Sequence, residues 1–384
     1  MSAELRVGIN LLWLVPGVVG GSEAYATGLL ERLVERTDVG ITPTAFALPG
    51  FERRYPRLAS GLGAVIAPLP HGRHVVRRVL AENNWLPKQT RGLDLMHHLG
   101  GLVPPRCRQP AAVTLHDLQY LAFPQHFSAT KRRYLRAVQG RSLSRARVVM
   151  AISEFTRAQA LAHFNLDADK VVVVPPVIRP ASSASEKVRD DVRSALGVTR
   201  RFVLYPAAMY PHKNHLVLVR AFAQVAAEHD LELVLTGATG AGAWGSAHST
   251  EAEIRALAAS LGVADRVKLL GYLTTSELAA LYAEAAMLAF PSRFEGFGLP
   301  VVEAMSTGCP VLAADATALH ALVDDAGLLI DPDDVAAWAN AISLVMADGA
   351  ERARLAAAGK ARAAALAAVD PVDALVAAYR KAVA

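Results

Sequence analysis

The amino-acid sequence predicts an α/β protein with two doubly wound domains, each built on a parallel sheet. Short apolar runs alternate with amphipathic stretches of helical period, and the runs are continuously apolar, as in strands buried on both faces. This alternation stops at a proline- and serine-rich segment, residues 175–185, and then starts again. We therefore expect an N-terminal domain over residues 1–180, a linker over 181–194 and a C-terminal domain over 195–369.

The N-terminal domain opens with a strand, a glycine loop and a helix, which is the start of a βαβ unit. The apolar run 5–12 leads into the loop 16–21, and the amphipathic stretch 22–36 follows. Further strands are expected at 41–48, 64–67, 93–97, 111–115 and 148–152, and further helices at 73–87 and 128–144.

The C-terminal domain repeats the same alternation beyond the linker. Strands are expected at 202–205, 231–235, 267–270, 287–290 and 310–313, and helices at 214–228, 251–261, 276–284 and 300–307. The chain from residue 333 onward is almost wholly helical in pattern. In open sheets of this kind ligands bind at the carboxyl ends of the strands, so the residues that follow the strands are the candidates for function.

Composition restricts the class of protein. Of the 384 residues, 53% are hydrophobic and 20% are charged, which is enough apolar material for two cores. No apolar run approaches the ~20 residues that a spanning helix requires, and residues 1–14 lack the pattern of a secretory signal. Cys107 and Cys309 are too few for a disulfide framework. We therefore expect a cytoplasmic protein that is neither membrane-spanning nor disulfide-stapled.

Positive charge is concentrated in the first half of the chain. Residues 1–200 carry 27 Lys and Arg against 15 Asp and Glu, a net of +12, whereas residues 201–384 carry 13 against 20, a net of −7. The basic residues that we assign to a binding surface are Arg73, Arg77, Arg132, Arg133 and Arg136. Such a surface meets anionic lipid, a phosphate-bearing acceptor or nucleic acid, or it is an ordinary solvated helix face.

The most informative segment, residues 291–304, leaves a predicted strand through Gly296 and Gly298 and enters a helix. Glycines let the backbone approach a ligand closely, and the free N–H groups at a helix start favour phosphate. Glu295 and Glu303, with seven residues between them, flank this loop. Carboxylates repel phosphate but accept hydrogen bonds from sugar hydroxyls. The segment thus predicts a nucleotide-sugar site, with one glutamate on the transferred sugar and the other on the ribose. For Glu303 the alternative is a carboxylate that only complements the helix dipole.

Two further residues follow predicted strands. Lys213, between the strand 202–205 and the helix 214–228, is a compact cation suited to a leaving diphosphate. His116 follows the strand 111–115 and is expected to point from its end into the site. No Asp-x-Asp pattern is placed to hold Mg²⁺, and no His/Cys spacing suits zinc, so we expect metal-independent catalysis.

These motifs resemble those of the retaining family 4 glycosyltransferases. The glutamate segment is similar to the family's E-x7-E signature, and residues 211–214 are similar to the lysine loop that neutralises the donor diphosphate. The resemblance extends over most of the chain and implies the GT-B fold, in which two Rossmann-like domains face a central cleft.

Weaker similarities support the same family. Gly20 and Gly21 resemble its N-terminal glycine loop, and His116-Asp117 resembles its His-Asp pair, whose histidine contacts the donor hexose. Residues 153–155 resemble its helix start, and the tail 370–384 resembles the helix that packs back on the N-terminal domain.

The resemblance also assigns site residues, with one departure. Many members carry an arginine about six residues before the lysine, where this chain has Ala207, and Arg293 is a candidate replacement. We expect His116, Lys213 and Glu295 to be catalytic. The expected donor-binding residues are Gly20, Gly21, Lys213, Gly237, Tyr272, Glu295, Gly296, Phe297, Gly298, Leu299 and Glu303.

In function, the resemblance implies transfer of a hexose from a nucleotide sugar with retention of the anomeric configuration and without a cofactor. GDP-mannose ranks first as donor, ahead of UDP- and dTDP-sugars, because the lysine loop looks closest to bacterial mannosyl- and rhamnosyltransferases of surface polysaccharide assembly. The basic half suits a glycan or polyprenyl-diphosphate-linked acceptor, with peripheral contact to the anionic inner face of the plasma membrane. A soluble natural product or free sugar is the alternative acceptor.

Three other classes compete with this reading. A nicotinamide oxidoreductase requires G-x-G-x-x-G after a strand, whereas Gly17, Gly20 and Gly21 have the wrong spacing. A basic nucleic-acid-binding protein fits the charge, but aromatic residues make up only 6% and no reading motif is present, so we expect no nucleic-acid partner. A sugar-nucleotide sensor without catalysis is opposed only by the joint presence of Lys213, Glu295 and Glu303.

Overall fold

A computed structural model describes residues 4–17, 20–70, 75–179, 186–237 and 251–384. The chain divides into two compact units, of which the first comprises Met1–Val177 with Asp370–Ala384 and the second Ile178–Val369. Each unit contains one parallel sheet with helices between its strands. The predicted fold class, two doubly wound α/β domains, is thus confirmed.

The first unit holds a seven-stranded sheet in the order β3-β2-β1-β4-β5-β6-β7. Its strands are β1 (Leu5–Leu11), β2 (Ile41–Ala47), β3 (Val65–Ile66), β4 (Leu95–His98), β5 (Ala111–Leu115), β6 (Val148–Ala151) and β7 (Val171–Val173). Its helices up to the last strand are α1 (Gly21–Glu35), α2 (Phe51–Arg54), α3 (Pro56–Gly61), α4 (Val75–Asn84), α5 (Leu86–Gln89), α6 (Gln119–Ala122), α7 (Ala129–Arg145) and α8 (Glu154–His163).

The second unit holds a six-stranded sheet in the order β10-β9-β8-β11-β12-β13. Its strands are β8 (Arg201–Pro206), β9 (Leu231–Thr236), β10 (Val267–Leu269), β11 (Met287–Phe290), β12 (Val311–Ala314) and β13 (Leu328–Ile330). Its helices are α9 (Glu186–Ala195), α10 (His215–Val225), α11 (Glu251–Ser260), α12 (Thr275–Glu284), α13 (Leu299–Thr307), α14 (Thr317–Val323), α15 (Val335–Ala347) and α16 (Gly349–Ala367).

The structure has a helix, α9, within the segment 181–194 that we predicted to be a linker. Residues 186–194 are helical, and Arg189 Nε lies 2.7 Å from Glu284 Oε1 on α12. The proline- and serine-rich composition indicated a connector, but ion pairs with a distant helix were not visible in the sequence. Residues 181–185 of the predicted linker lie outside the described residues.

Strand order fixes where each sheet opens for a ligand. In both sheets the first three strands run outward to one edge, and the fourth returns to the other side of the first, so that β1 lies beside β4 and β8 beside β11. The carboxyl ends of two such neighbouring strands form the switch point at which open α/β sheets bind ligands. The core strands at these points are fully buried, as Ile9 and Leu288 illustrate. We therefore expect the site of the second unit at the loops that follow β8 and β11.

The last helix, α17 (Pro371–Val383), belongs to the first unit. It buries Leu375 and Tyr379 completely, and the Tyr379 hydroxyl lies 2.8 Å from Nδ1 of His97 on β4. At its start, Asp370 accepts hydrogen bonds from Arg32 of α1 and from Arg36, the residue that follows α1, each at 2.8 Å. The first unit is thus completed by the final residues of the chain.

Candidate active site

The glutamate segment forms the turn between β11 and α13. Gly298 caps the helix with φ 110°, a left-handed conformation that favours glycine, and Pro300 occupies the first turn, where no N–H is needed. A Cβ atom on Gly298 would lie 2.7 Å from a methyl group of Leu319 and 2.9 Å from one of Leu322. Gly298 thus lets the turn pack closely on α14 and leaves the first N–H groups of α13 at the end of the sheet.

The lysine loop follows β8, the neighbouring strand. A short 3₁₀ turn, Pro211–Lys213, leads through Asn214, whose φ is 61°, into α10. The buried Tyr205 hydroxyl donates to the Lys213 carbonyl at 2.5 Å, and Nδ2 of Asn214 donates to the Pro332 carbonyl at 2.5 Å. These two hydrogen bonds fix the backbone from which the Lys213 side chain projects.

The structure brings the two predicted catalytic residues of this unit into contact. Lys213 Nζ donates to Glu295 Oε1 at 2.5 Å, and the side chains are only 17% and 12% exposed. The ammonium also lies 5.7 Å from the centroid of the Phe290 ring. A mostly buried ammonium and a mostly buried carboxylate therefore lie in contact at the switch point between β8 and β11.

The second glutamate has a partner that the sequence did not indicate. Glu303 lies one turn into α13, and its Oε2 accepts a hydrogen bond from the buried Tyr282 hydroxyl at 2.9 Å. The surrounding protein raises the pKa of the Glu303 carboxyl by desolvation, and the Tyr282 hydrogen bond opposes that rise. Tyr282 lies in the last turn of α12, 21 residues before Glu303, and no local pattern marks the pair.

Gly237 and Tyr272 follow the next two strands, β9 and β10. Gly237 has φ 132°, and a Cβ atom there would lie 2.5 Å from the Ala207 carbonyl oxygen, so a glycine is required on steric grounds alone. Its N–H donates to the Gly271 carbonyl at 2.7 Å. The Tyr272 side chain is 75% exposed beside this contact. Both residues lie at the carboxyl edge of the sheet, on the side of β8 away from β11.

Arg293, the candidate for the missing arginine charge, already has a counter-ion. Its Nε donates to Asp333 Oδ1 at 2.7 Å, and its backbone N–H donates to the His212 carbonyl at 2.8 Å. Ala207 itself is buried, with 7% exposure. In this structure the guanidinium of Arg293 is thus paired with Asp333.

In the first unit, His116 follows β5 at the sheet's carboxyl edge. Its Nε2 donates to the Leu99 carbonyl at 2.7 Å, so this nitrogen carries the proton. The ring packs against Tyr25 and Trp13, with centroids 5.3 and 5.8 Å away. Burial lowers the pKa of His116, so at neutral pH the ring is uncharged and Nδ1 is a hydrogen-bond acceptor.

The glycine loop of the first unit is organised by a residue that we did not single out. Gly20 has φ 73° and precedes Gly21, the first residue of α1. The buried Glu23 accepts the Gly17 N–H at 2.8 and 3.0 Å through its two oxygens, and the Tyr55 hydroxyl also donates to it. Glu23 belongs to the glycine-loop motif, residues 20–23. Its contact with Tyr55, 32 residues further along the chain, could not be seen from that motif.

Models of two protein families match consecutive parts of the chain. The model described as Glycosyltransferase Family 4 matches residues 19–182, and the model described as Glycosyl transferases group 1 matches residues 187–362. The chain belongs to the family 4 glycosyltransferases.

Curated relatives of this glycosyltransferase include two O-antigen enzymes. O-antigen chain mannosyltransferase B of Escherichia coli is 29% identical over 63% of this chain and 62% of its own length. O-antigen chain mannosyltransferase RfbU of Salmonella typhimurium is 25% identical over 60% of this chain and 59% of its own length. The matched region is thus about six tenths of these two relatives. D-inositol 3-phosphate glycosyltransferase of Salinispora arenicola is 28% identical over 88% of this chain and 82% of its own length.

Solved structures share the fold of this glycosyltransferase. Sucrose-phosphate synthase from Thermosynechococcus elongatus superposes with a TM-score of 0.78 at 22% identity over 98% of both chains. Anabaena HepE in complex with UDP and glucose superposes with a TM-score of 0.73 at 22% identity, over 94% of this chain and 95% of that one. The expected GT-B fold class is confirmed by these likenesses.

The basic residues of this glycosyltransferase lie on two helices of the first unit. Arg77 on α4 and Arg133 and Arg136 on α7 are exposed, and Arg132 is half-buried. Arg73 lies outside the described residues. The sequence did not indicate that exposed apolar side chains lie among these arginines, because exposure cannot be read from a short helix that also packs on the core. The exposed apolar side chains are Val75, Val76, Val79 and Leu80 on α4 and Tyr134 on α7.

Two features are absent from the described part of the chain. No helix there combines the length and the apolar character that crossing a bilayer demands. No group of three or more His, Cys, Asp and Glu side chains in these residues is arranged to hold a metal ion.

Proposed function

We propose that this protein transfers a hexose from a nucleotide sugar, with GDP-mannose ranked first, to a hydroxyl of a glycan or lipid-linked glycan in cell-surface polysaccharide synthesis. The observation that carries the proposal is the direct contact of Lys213 with Glu295 at the switch point of the second sheet. In a nucleotide sugar the diphosphate is bonded directly to the sugar. A cation that binds the diphosphate and a carboxylate that binds the sugar should therefore lie close together, as Lys213 and Glu295 do.

Each residue of the second unit has a distinct role in this proposal. Lys213 and the N–H groups around Leu299 stabilise the negative charge that develops on the departing diphosphate. Glu295 orients the transferred sugar, and Glu303, held by Tyr282, accepts hydrogen bonds from the ribose. Tyr272, exposed beyond β10, offers an aromatic face to the nucleobase.

His116 of the first unit supplies a neutral acceptor. With Nε2–H bonded to Leu99, Nδ1 is left to accept a hydrogen bond from a hydroxyl of the transferred hexose, the contact that the family resemblance assigns to it. An uncharged ring suits a neutral sugar better than an imidazolium does, because a charged ring would have to be desolvated.

The transfer proceeds with retention of configuration and without a metal in this proposal. The bond between the anomeric carbon and the diphosphate oxygen breaks, and the acceptor oxygen bonds to that carbon on the face that the diphosphate leaves. The released diphosphate oxygen accepts the proton of the acceptor hydroxyl. The product's anomeric configuration, read by NMR, is expected to equal that of the donor, with turnover unchanged in EDTA. An inverted product or loss of turnover in EDTA would remove the corresponding part of the proposal.

A soluble acceptor is the second candidate. It is favoured by the D-inositol 3-phosphate glycosyltransferase relative, which matches most of this chain. Assays with polyprenyl-diphosphate-linked glycan and with inositol phosphate, run side by side, distinguish the two acceptors.

A nucleotide panel tests the donor class. A ligand at 100 times its Kd stabilises the folded protein by about 2.7 kcal/mol, which raises Tm by several degrees. We expect a selective shift with GDP and GDP-mannose in a panel that also contains the UDP and dTDP conjugates and NAD. Glu303→Gln should weaken nucleotide binding about tenfold, since a hydrogen bond to a charged group is lost, whereas the exposed Glu228→Gln should not. A shift with NAD alone, or equal effects of both variants, would contradict the proposed site.

We propose further that the first unit contacts anionic lipid through α4 and α7. Both helices end beside the loop that leads into β5, because Asn84 contacts Arg106 and the Arg145 guanidinium donates to the Pro104 carbonyl at 3.4 Å. They therefore both begin at the carboxyl edge of the sheet, where arginines and exposed valines occur together. Arginines attract anionic headgroups, and the apolar side chains enter the acyl boundary.

Vesicle binding tests this surface. We expect sedimentation with vesicles containing anionic phospholipid, reduced by salt because exposed charges are screened. Val76→Ser combined with Arg133→Gln should lower the bound fraction at least threefold. Val369→Ser is the matched control, since Val369 is 58% exposed in the second unit. Binding absent at low salt, or lost equally in the control, would contradict membrane contact.

A further inference from the structure

Thr317, at the start of α14, has a backbone conformation that its side chain disfavours. Its φ is 53°, in the left-handed region. The other non-glycine residues with positive φ in the described chain are Asn214, Asp230 and Asp324, and none of these is β-branched. Asparagine and aspartate tolerate this region, whereas a β-branched residue there is a genuine outlier. Such outliers persist only where the surroundings enforce them, and they cluster at functional sites.

The threonine hydroxyl reaches the glutamate loop. Thr317 Oγ1 accepts a hydrogen bond from the backbone N–H of Glu295 at 3.0 Å. This bond joins the loop after β12 to the loop after β11, two neighbouring strands of the sheet. The conformation of Thr317 thus places its hydroxyl on the residue that contacts Lys213.

The same helix supports the other end of the loop. Leu319 and Leu322 of α14 pack on Gly298, where a side chain would collide with them. The segment from Glu295 to Gly298 is therefore fixed at its first residue by a hydrogen bond and at its last by apolar contact. Neither contact involves the Glu295 carboxylate, which is left for Lys213 and a ligand.

We infer that Thr317 is a positioning residue for Glu295, an inference that rests on the proposed role of Glu295 in orienting the sugar. By holding the Glu295 N–H, Thr317 fixes the point from which the carboxylate reaches the sugar. Misplacement of a reacting group by about 1 Å can cost about a hundredfold in rate. In this strained conformation the hydroxyl reaches that N–H.

Three substitutions at this position separate the hydroxyl from the backbone strain. Thr317→Val keeps the shape and removes the acceptor, and Thr317→Ser keeps the acceptor. Thr317→Gly removes the hydroxyl but relieves the left-handed backbone, so it should fold at least as stably as the wild type. We expect Thr317→Val and Thr317→Gly to lower kcat about ten- to a hundredfold, with donor KM changed less than about threefold because the phosphate contacts are untouched. Thr317→Ser should stay within about threefold of wild-type kcat.

The matched control is Thr199→Val. The Thr199 hydroxyl also bonds in this unit, to Glu232 at 3.3 Å, but it precedes β8 at the opposite edge of the sheet. Its kcat should not change. A purely structural role for Thr317 would make Thr317→Gly as active as the wild type, and that result would overturn the inference.

A double-mutant cycle with Glu295→Ala locates the effect. If Thr317 acts through Glu295, Thr317→Val should cost less than about threefold in the Glu295→Ala background. Full cost in that background would show that Thr317 acts elsewhere. Should Glu295→Ala alone keep near wild-type kcat, the proposed role of Glu295 fails. If Glu295→Ala is impaired and Thr317→Val is not, only the positioning role fails.

Discussion

We expect Lys213→Met to lower kcat by about 10²–10³-fold, or about 3–4 kcal/mol of transition-state stabilisation, which is the typical cost of removing one donor to a developing anion. Methionine retains the unbranched apolar stem beside the Phe290 ring and removes only the ammonium. In the proposed reaction, negative charge on the diphosphate grows as its bond to the sugar breaks, so the loss should fall mainly on kcat and less on the donor KM.

Steady-state kinetics with saturating acceptor measure this effect. Lys268→Met is the matched control. Lys268 lies on β10, away from the proposed site, and its Nζ is 3.6 Å from Oε1 of Glu232, so it too is a lysine that faces a carboxylate of the second unit. The control should keep wild-type turnover. A Lys213→Met protein that turns over normally and differs only in donor affinity would restrict Lys213 to binding.

The second large effect is loss of stability in mild acid, caused by two neutral histidines of β4. Burial lowers the pKa of His97 to about 3 and that of His98 to about 3. His97 lies between the Tyr379 and Thr114 hydroxyls, each 2.8 Å from one ring nitrogen, an arrangement that an uncharged ring satisfies.

The sign follows from the proton balance. In the unfolded chain each histidine binds a proton below its usual pKa of about 6.5, whereas in the folded protein it does not until about pH 3. The unfolded state thus gains protons between these values, and stability falls as pH falls through that window. At about 1.4 kcal/mol per pH unit for each histidine, the pair removes about 5 kcal/mol between pH 6.5 and 4.5. The dependence is half-developed at pH 6.5 and disappears by about pH 7.5, where the unfolded histidines are also uncharged.

Urea unfolding at pH 7.0, 6.0 and 5.0 measures this dependence. His97→Gln should lower the stability at pH 7 yet flatten the change below pH 6.5, because one titrating group is gone. His163→Gln, which alters an exposed histidine of α8, should leave the wild-type slope. The same slope in all three proteins would show that His97 is not the group responsible.

The sequence predicted most of what depends on local pattern. Continuous apolar runs marked the strands, and glycines between a strand and a helix marked the turn that holds Glu295. Lys213 and Glu295 were both expected at strand ends, but their contact depends on β8 and β11 being neighbours, which only the strand order establishes.

The residues of the candidate site that the sequence did not indicate, Tyr282 and Thr317, reach it through tertiary contacts. Tyr282 reaches Glu303 from another helix, and Thr317 reaches Glu295 from another loop, so no spacing in the sequence links either pair. Thr317 is also disfavoured locally, because threonine rarely adopts positive φ. The helix α9 was taken for a linker because it directly follows a proline- and serine-rich segment, whereas in the structure Arg189 and Arg193 pair it with Glu284.

The position of α17 determines the order in which the two units can be completed during translation. The second unit is one uninterrupted stretch, Ile178–Val369, whereas the first unit needs Asp370–Ala384 as well. During N-to-C synthesis the second unit is therefore fully translated before the first has its last helix, and until then β4 lacks the Tyr379 hydroxyl that partners His97. A chain that stops before Asp370 therefore has a complete second unit and an incomplete first one.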